Sequence, residues 1–314
     1  MPATSPAKRA TPPQALKGVR ILSLALNLPG PAALMRCRAM GARCTKLEPP
    51  APANAPQGAS GDPMGTYNPS AYAALHAGVK VGVADLKTAK GQQTLHRALA
   101  KTDVLLTSFR PSALVKLGLS WKALHTRYPA LCHVAIVGAP GSRAEEPGHD
   151  LTYLAENDLV TGLELPPTLY ADMGGSLMAV EAILQAVMLQ RERYAGTGEP
   201  HPAGVFLEVA LSESANYLGL PRAWGLTTPG AAVGGGHAGY RVYPCKDGRV
   251  AVAALEPHFA ASLCGAAGVE VTSIKAMFAP ATHQAIAAFL KTQSHEQLDK
   301  LAAEKDIPLH TLSH

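Results

Sequence analysis

The sequence has few aromatic and charged residues and lacks the features that identify membrane and secreted proteins. Only 5 % of its 314 residues are aromatic and 16 % are charged. No apolar run reaches the ~18–20 positions that a membrane-spanning helix needs. The start, MPATSPAKRATPPQ, lacks the apolar segment of a secretory signal. We therefore expect residues 1–15 to form a disordered leader and the protein to be cytoplasmic, without membrane contact.

Cysteine is also scarce. The five cysteines are dispersed and no C-x-x-C pair occurs: Cys37, Cys44, Cys132, Cys245 and Cys264. An odd, scattered set argues against a disulfide framework and against a zinc site, and it fits a reducing compartment. We expect these side chains to be buried small hydrophobes and expect no metal.

The charge balance is nearly even. Lys and Arg number 28 against 23 Asp and Glu, a net charge of +5. Such a mild, scattered excess suits a small anionic ligand but not a nucleic acid. The apolar fraction of 47 % allows a substantial core.

The pattern along the chain alternates short apolar runs with helical stretches. Strands are predicted at 19–24, 43–48, 79–84, 104–106, 131–137 and 205–210, with intervening helices that include 111–126 and a long one over 174–194. Residues 49–70, rich in proline and glycine, are predicted to be a loop. This alternation predicts a large Rossmann-like α/β domain with a parallel sheet over 16–225.

A second, smaller α+β domain is predicted over 241–314. It follows a glycine-rich hinge at 226–240 and begins with a hairpin, 240–243 and 249–253, around an Asp-Gly turn. Helices are predicted at 257–266 and 281–304.

Ligands of such folds bind in loops at the carboxyl ends of the strands. The segment containing Pro29 and Gly30 is not a dinucleotide fingerprint. It is either a bare turn or a helix start facing an anion. Arg110, with Lys116 further along, is either a phosphate donor at a helix start or a solvated surface arginine.

Two further segments carry acid–base groups. His149 beside Asp150 suits proton transfer near neutral pH, although histidines also serve as ordinary surface or capping groups. Asp172 precedes the long helix and is either an N-cap or a carboxylate that faces a ligand. The glycines that follow it, Gly174 and Gly175, are consistent with close approach of a bulky ligand.

Taken in order, the segments resemble the family III CoA-transferases (the CaiB/BaiF family), and most of all its α-methylacyl-CoA racemase branch. The resemblance covers about residues 16–310 and rests on LKGVRILSLALNLPGPAALMRCRAMGARCTKLEPP, VADLK, SFRPSALVKLGLSWKAL, GHDLTYLA, LYADMGGSLMAVEAILQAVMLQR, LEVALSESANYL and YRVYPCKDGRVAVAALEPHFAASLC.

The resemblance implies a CoA-binding α/β domain, acyl-CoA as substrate, no nicotinamide or flavin, and a homodimer whose chains interlock. It places Asp172 at the family's catalytic aspartate and His149 at the histidine that shares α-proton transfer in the racemase branch. Asp150 is expected to tune His149 or to touch the thioester. Arg110, Lys80, Lys116, Pro29 and Gly30 are the expected CoA-binding residues.

Three hypotheses about function follow. The first is racemase-like proton transfer at the α-carbon of a 2-methylacyl-CoA, favoured by the Gly-His-Asp motif. The second is CoA transfer between acids through an acyl anhydride on Asp172, which needs only that carboxylate. The third is a degenerate member that binds CoA or a partner without turnover. Racemase-like relatives usually have a glutamate where this chain has Pro244, which supports the third hypothesis.

Overall fold

The computed structural model describes residues 13–56, 58–198, 202–270 and 273–313. The chain divides into two compact units, the first ending at Leu218 and the second beginning at Gly219. Most of the expected leader, 1–12, lies outside the described residues. The glycine-rich segment 226–240, expected to be a hinge, belongs to the second unit and includes a short 3-10 turn at Ala232–Gly234.

A six-stranded parallel sheet forms the centre of the first unit. Its strands are β1 (Arg20–Ser23), β2 (Arg43–Glu48), β3 (Lys80–Val83), β4 (Val104–Thr107), β5 (Cys132–Val137) and β6 (Phe206–Ala210). Their order is β3-β2-β1-β4-β5-β6, and every pairing is parallel. Every residue of β4 and β5 is buried, as expected for central strands covered by helices on both faces. The predicted Rossmann-like α/β class is confirmed.

Nine helices are described in or starting in this unit. They are α1 (Pro29–Ala39), α2 (Pro63–Tyr67), α3 (Pro69–Leu75), α4 (Ala89–Leu99), α5 (Pro111–Lys116), α6 (Trp121–Arg127), α7 (Asp150–Glu156), α8 (Tyr170–Thr197) and α9 (Leu211–Ala223). A 3-10 helix occupies Gly141–Glu145, and α9 contains the boundary between the units.

Two local predictions are wrong here. Residues 49–70 are not all loop, since Asp62 and Asn68 cap the short helices α2 and α3 with their side chains. The single helix predicted over 111–126 is two helices. Gly118 takes a left-handed conformation (φ 72°) after α5, and Ser120 then caps α6. Glycine adopts that conformation without steric cost, which is why the helix ends there.

The long helix α8 begins four residues earlier than predicted. Asp172 is therefore the third residue of the helix rather than a residue ahead of it. One face of α8, including Val180, Ile183 and Val187, is buried in the core, where α8 packs against α1. Leu177 and Met188 of the same helix are 51 % and 67 % exposed.

By length and composition the segment Tyr170–Gly196 of α8 is apolar enough to cross a membrane. The core helix of a globular domain meets the same criteria. The buried face of α8 lies within the hydrophobic core of this unit.

The second unit is a smaller α+β structure. Its antiparallel sheet has the order β7-β8-β9, with β7 (Tyr240–Cys245), β8 (Gly248–Ala253) and β9 (Leu309–Leu312). Helices α10 (Pro257–Ala266), α11 (Pro280–Lys291) and α12 (His295–Lys305) and a 3-10 helix at Ile274–Phe278 complete the unit. The hairpin and α10 are confirmed. The helix predicted over 281–304 is instead two helices, because Ser294 forms a capping box with Gln297 at the start of α12.

Candidate active site

A cavity of about 190 Å³ opens at the carboxyl edge of the parallel sheet. Its walls come from the segments after β1, β4 and β5 and from the starts of α7 to α9. The sheet order reverses between β1 and β4, and doubly wound sheets bind ligands at such a reversal. A cavity of this size is smaller than the ~300–1,000 Å³ of whole-ligand pockets, so it fits one end of a larger molecule.

Asp172 lies on the wall of this cavity, in the first turn of α8. Burial and, to a smaller extent, the nearby charge of Asp150 raise the pKa of its carboxyl to about 6, while the charge of His149 acts in the opposite direction. At neutral pH the group is mostly ionised, yet it is a stronger base than an ordinary carboxylate. A general base works best when its pKa lies near the working pH.

Asp150 fixes the position of Asp172. Its carboxylate is buried, and its Oδ1 accepts a hydrogen bond of 2.9 Å from the backbone N–H of Asp172. That N–H is one of the donors that a helix leaves unpaired in its first turn. Asp150 thus joins the start of α7 to the start of α8, and its carboxylate binds the backbone of Asp172 itself.

His149 is the residue immediately before α7, and it is exposed on the cavity wall. The hydroxyl of Thr152 accepts from its backbone N–H (3.1 Å) and donates to its carbonyl (2.7 Å). These two bonds fix the backbone from which the imidazole projects. The structure therefore places His149 and Asp172 on the walls of one cavity.

Tyr153, which the sequence analysis missed, also lines the cavity. It is buried, and burial raises the pKa of its hydroxyl, with the charge of Asp172 acting in the same direction. A Cβ at Gly148 would lie 2.5 Å from the Tyr153 hydroxyl oxygen. The glycine of the Gly-His-Asp motif therefore makes room for this tyrosine, a spatial requirement that three residues of sequence do not reveal.

The glycines after Asp172 have a different role from the one expected. A Cβ at Gly174 would lie 2.3 Å from Ser214 Oγ, and one at Gly175 would lie 2.3 Å from Leu211 Cδ2. Both contacts are with α9. The interpretation that these glycines admit a bulky ligand is wrong, because they allow α8 and α9 to pack closely.

The expected CoA-binding residues are only partly brought together. Arg110 and Pro29 line the cavity, and Arg110 is exposed at the start of α5. Gly30 is buried, and its ideal Cβ would lie 2.2 Å from Ala25 Cβ, so its absence of a side chain serves packing. Lys116 ends α5 and Lys80 begins the edge strand β3. Both are exposed, and neither is among the described residues that line the cavity.

A buried charged cluster adjoins the cavity at the end of β2. Lys46 Nζ lies 2.5 Å from Asp62 Oδ2, 2.9 Å from Glu48 Oε1 and 2.9 Å from His76 Nε2. These four side chains, called the Lys46 network below, are all at most 7 % exposed. Glu48, Asp62 and His76 have the spacing of metal ligands, but the lysine ammonium lies among them.

The Lys46 network supports one wall of the cavity. Asp62 accepts a hydrogen bond from the backbone N–H of Asn27 (3.1 Å), a cavity residue in a left-handed conformation (φ 62°). Asp62 also caps α2 through the N–H of Met64. Burial opposes ionisation of Glu48, but hydrogen bonds from Ser60, Lys46 and Tyr72 hold the pKa of its carboxyl below the ordinary value.

A larger groove of about 810 Å³ lies at the opposite, amino-terminal edge of the sheet, beside Gly18, Asp103 and Tyr128. The carboxylate of Asp103 is paired there with Arg20. None of the residues predicted for chemistry lines this groove. We therefore assign the site to the smaller cavity.

The sequence pattern of CoA-transferase family III matches residues 16–314. The chain belongs to this family. Two solved structures share its fold: a hypothetical protein from Mycobacterium tuberculosis (TM-score 0.77, 23 % identity, 96 % of this chain and 86 % of that one) and a CaiB/BaiF family protein from Brucella suis (TM-score 0.73, 21 % identity, 95 % and 84 %).

Relatives within CoA-transferase family III fall in both functional branches. A cinnamoyl-CoA:phenyllactate CoA-transferase from Clostridium sporogenes is 33 % identical over 50 % of this chain and 40 % of its own length. A probable fatty acyl-CoA transferase from Mycobacterium tuberculosis is 31 % identical over 69 % and 55 %. Human α-methylacyl-CoA racemase is 28 % identical over 78 % and 63 %. The chain thus spans between 40 % and 63 % of the length of these relatives.

Proposed function

We propose that this family III chain is an acyl-CoA-processing enzyme. In it, Asp172 and His149 transfer a proton at the α-carbon of a 2-methylacyl-CoA thioester. The observation that carries the proposal is the presence of Asp172, a half-buried carboxylate of raised pKa, and of His149 on the walls of one cavity. The human relative named α-methylacyl-CoA racemase supports it.

In the proposed step, one of the two groups removes the α-proton. The C–H electron pair enters an enolate whose negative charge rests on the thioester oxygen. The other group, protonated, delivers a proton to the opposite face of the carbon, and the second epimer results. Asp172 lies in the first turn of α8, and the positive end of the helix dipole there favours the negative charge of the enolate.

The cavity volume supports a division of the substrate between two regions. At about 190 Å³ the cavity accommodates the thioester and its α-carbon, and the body of CoA extends beyond it. Arg110 stands exposed at the cavity wall, and its guanidinium suits a phosphate of CoA. A homodimer and a cytoplasmic location complete the proposal.

A second candidate function is CoA transfer between carboxylic acids. The relatives named as CoA-transferases favour it. In this case the ionised Asp172 attacks the thioester carbonyl, releases CoA as thiolate and carries the acyl group as a mixed anhydride. His149 has no part in that step, so its substitution distinguishes the two functions.

The test of proton transfer uses each pure epimer of a 2-methylacyl-CoA in heavy water. The wild type should introduce one deuterium at the α-carbon from either epimer. Asp172→Asn should retain exchange from one epimer and His149→Gln from the other, because each base serves one face, and both variants should lose epimerisation. The matched control is His258→Gln, an exposed histidine of the second unit.

Absence of deuterium at enzyme concentrations equal to the substrate contradicts proton transfer. Transfer of CoA to an added acid, with hydroxylamine converting Asp172 to its hydroxamate, supports the second candidate. In that case His149→Gln should leave the rate unchanged.

A further inference from the structure

Three metal-type donors from separate parts of the second unit lie together. Cys245 ends β7, Asp247 lies in the turn before β8, and His295 begins α12. The Cys245 Sγ lies 3.8 Å from Asp247 Oδ1, and His295 Nε2 lies 3.6 Å from the same oxygen. All three donor atoms lie within 4.8 Å of one another.

Backbone hydrogen bonds hold these donors in place. The carboxylate of Asp247 accepts from the N–H of His295 at 2.9 and 3.2 Å, and the N–H of Lys246 donates to the carbonyl of Gln293 at 2.9 Å. A Cβ at Gly248 would lie 2.7 Å from His295 Nε2. The imidazole therefore lies directly against the hairpin turn.

The imidazole nitrogen that faces the cluster lacks a suitable partner. His295 Nε2 is shielded from solvent and has no hydrogen-bond partner among the described residues, since 3.6 Å to the carboxylate is too long for a hydrogen bond. A buried polar atom without a partner is costly. A cation between these atoms would satisfy it.

The donor set and spacing indicate which cation. Thiolate, imidazole and carboxylate together suit a borderline-soft divalent metal such as Zn²⁺ rather than Mg²⁺ or Ca²⁺. With Zn–ligand bonds of ~2.0–2.3 Å in a tetrahedron, ligand atoms stand about 3.3–3.6 Å apart. The observed nitrogen-to-oxygen distance of 3.6 Å lies at the upper end of this range, and the sulfur-to-oxygen distance of 3.8 Å lies slightly above it.

We propose that Cys245, Asp247 and His295 form a Zn²⁺ site, with water as the fourth ligand. On binding, the Cys245 thiol loses its proton to solvent, the thiolate sulfur donates an electron pair to the metal, and no redox change occurs. Asp247 is exposed and gives the ion a route from solvent. The site would join the hairpin to α12 within the second unit and is independent of the acyl-CoA chemistry.

A second group of metal-type donors differs from the Cys245 set. It consists of Glu48, Asp62 and His76. Its donors have similar spacing, but Lys46 already supplies a cation at 2.5 to 2.9 Å. The Cys245 set has no such internal cation among the described residues within hydrogen-bond distance of its donors.

The test is a Co²⁺ titration of the tag-free, chelator-treated chain, followed by Zn²⁺ displacement. One equivalent of Co²⁺ should produce a thiolate-to-cobalt charge-transfer band and the intense visible bands of tetrahedral cobalt. Zn²⁺ should abolish both and raise the melting temperature. Cys245→Ser should lose the charge-transfer band, and His295→Gln should bind Co²⁺ about tenfold or more weakly.

The matched control is Cys264→Ala, which removes another buried thiol of the same unit and should keep the band. Circular dichroism checks that each variant is folded. Absence of the band in the wild type, its persistence in Cys245→Ser, or weak binding of several ions without saturation at one equivalent overturns the proposal.

Discussion

Lys46→Met is the substitution whose cost the structure defines most clearly. Methionine fills the space of the lysine stem without its charge. The side chains of Asp62 and Glu48 are 0 % and 2 % exposed, and the ammonium of Lys46 contacts both. After the substitution these two carboxylates stay buried without a positive charge beside them. The substitution also removes the partner of His76 Nε2.

The expected loss follows from what remains buried. Removing one partner of a buried ion pair costs about 3–5 kcal/mol, because the other charge stays without compensation. Here two carboxylates are left, so we expect the upper part of that range, a large share of the ~5–15 kcal/mol total stability of a typical protein. The loss should shrink at acid pH, where the stranded carboxylates take up protons.

The assay is urea unfolding followed by tryptophan fluorescence. The chain has two tryptophans. Trp121 belongs to the first unit and Trp224 to the second. In a Trp224→Phe background, the signal therefore reports the unit that contains Lys46. Exposed Lys122→Met is the control and should change the free energy of unfolding by no more than about 0.5 kcal/mol.

Two results would refute this reasoning. One is a Lys46→Met free energy of unfolding within about 1 kcal/mol of the parent, below the usual cost of breaking a buried pair. The other is a loss that does not change when Glu48→Gln is added. The added glutamine removes one of the stranded charges and should restore part of the stability.

Two further predictions concern Asp172 and His133, because burial shifts the pKa of each side chain. Asp172→Asn should raise stability by about 3 kcal/mol above pH 6 and by nothing below the ordinary pKa of 3.8, because ionisation of the wild-type carboxylate is unfavourable in its partly desolvated site. Equal melting temperatures of the two proteins at pH 8 would contradict this. Burial lowers the pKa of His133 to about 4, so the unfolded chain binds a proton between pH 6.5 and 4 that the folded chain does not. The wild type should therefore lose about 3 kcal/mol over that interval, and His133→Gln should flatten this part of the pH–stability curve measured by urea unfolding.

The central strands were predictable because every residue of β4 and β5 is buried, which gives continuous apolar runs. β2 occupies 43–48 as expected, and β5 lies within the predicted 131–137. The helix breaks were harder, since the apolar period continues across Gly118 while the backbone turns at φ 72°. The Ser294 and Gln297 pair did carry a readable signal, a capping box in the middle of an apparently continuous helix.

The candidate site was only partly predictable. Asp172 and His149 could be selected through family resemblance, and the cavity brings them together. The bond from Asp150 to the Asp172 N–H depends on how α7 meets α8, which no local pattern contains. The Lys46 network could not be predicted from the sequence for a similar reason. A lysine in a strand resembles a surface residue until the chain from 60 to 76 covers it.

The bond between Asp150 and the Asp172 backbone closes the base of the 158–169 connection. Within this connection Leu163 is fully exposed to solvent and Leu165 is largely exposed. Doubling the length of such a connection costs only about 0.6 kcal/mol in chain entropy. Insertions and deletions there should thus leave the position of the Asp172 carboxylate unchanged. The length of this exposed connection can therefore change while Asp172 keeps its backbone hydrogen bond to Asp150.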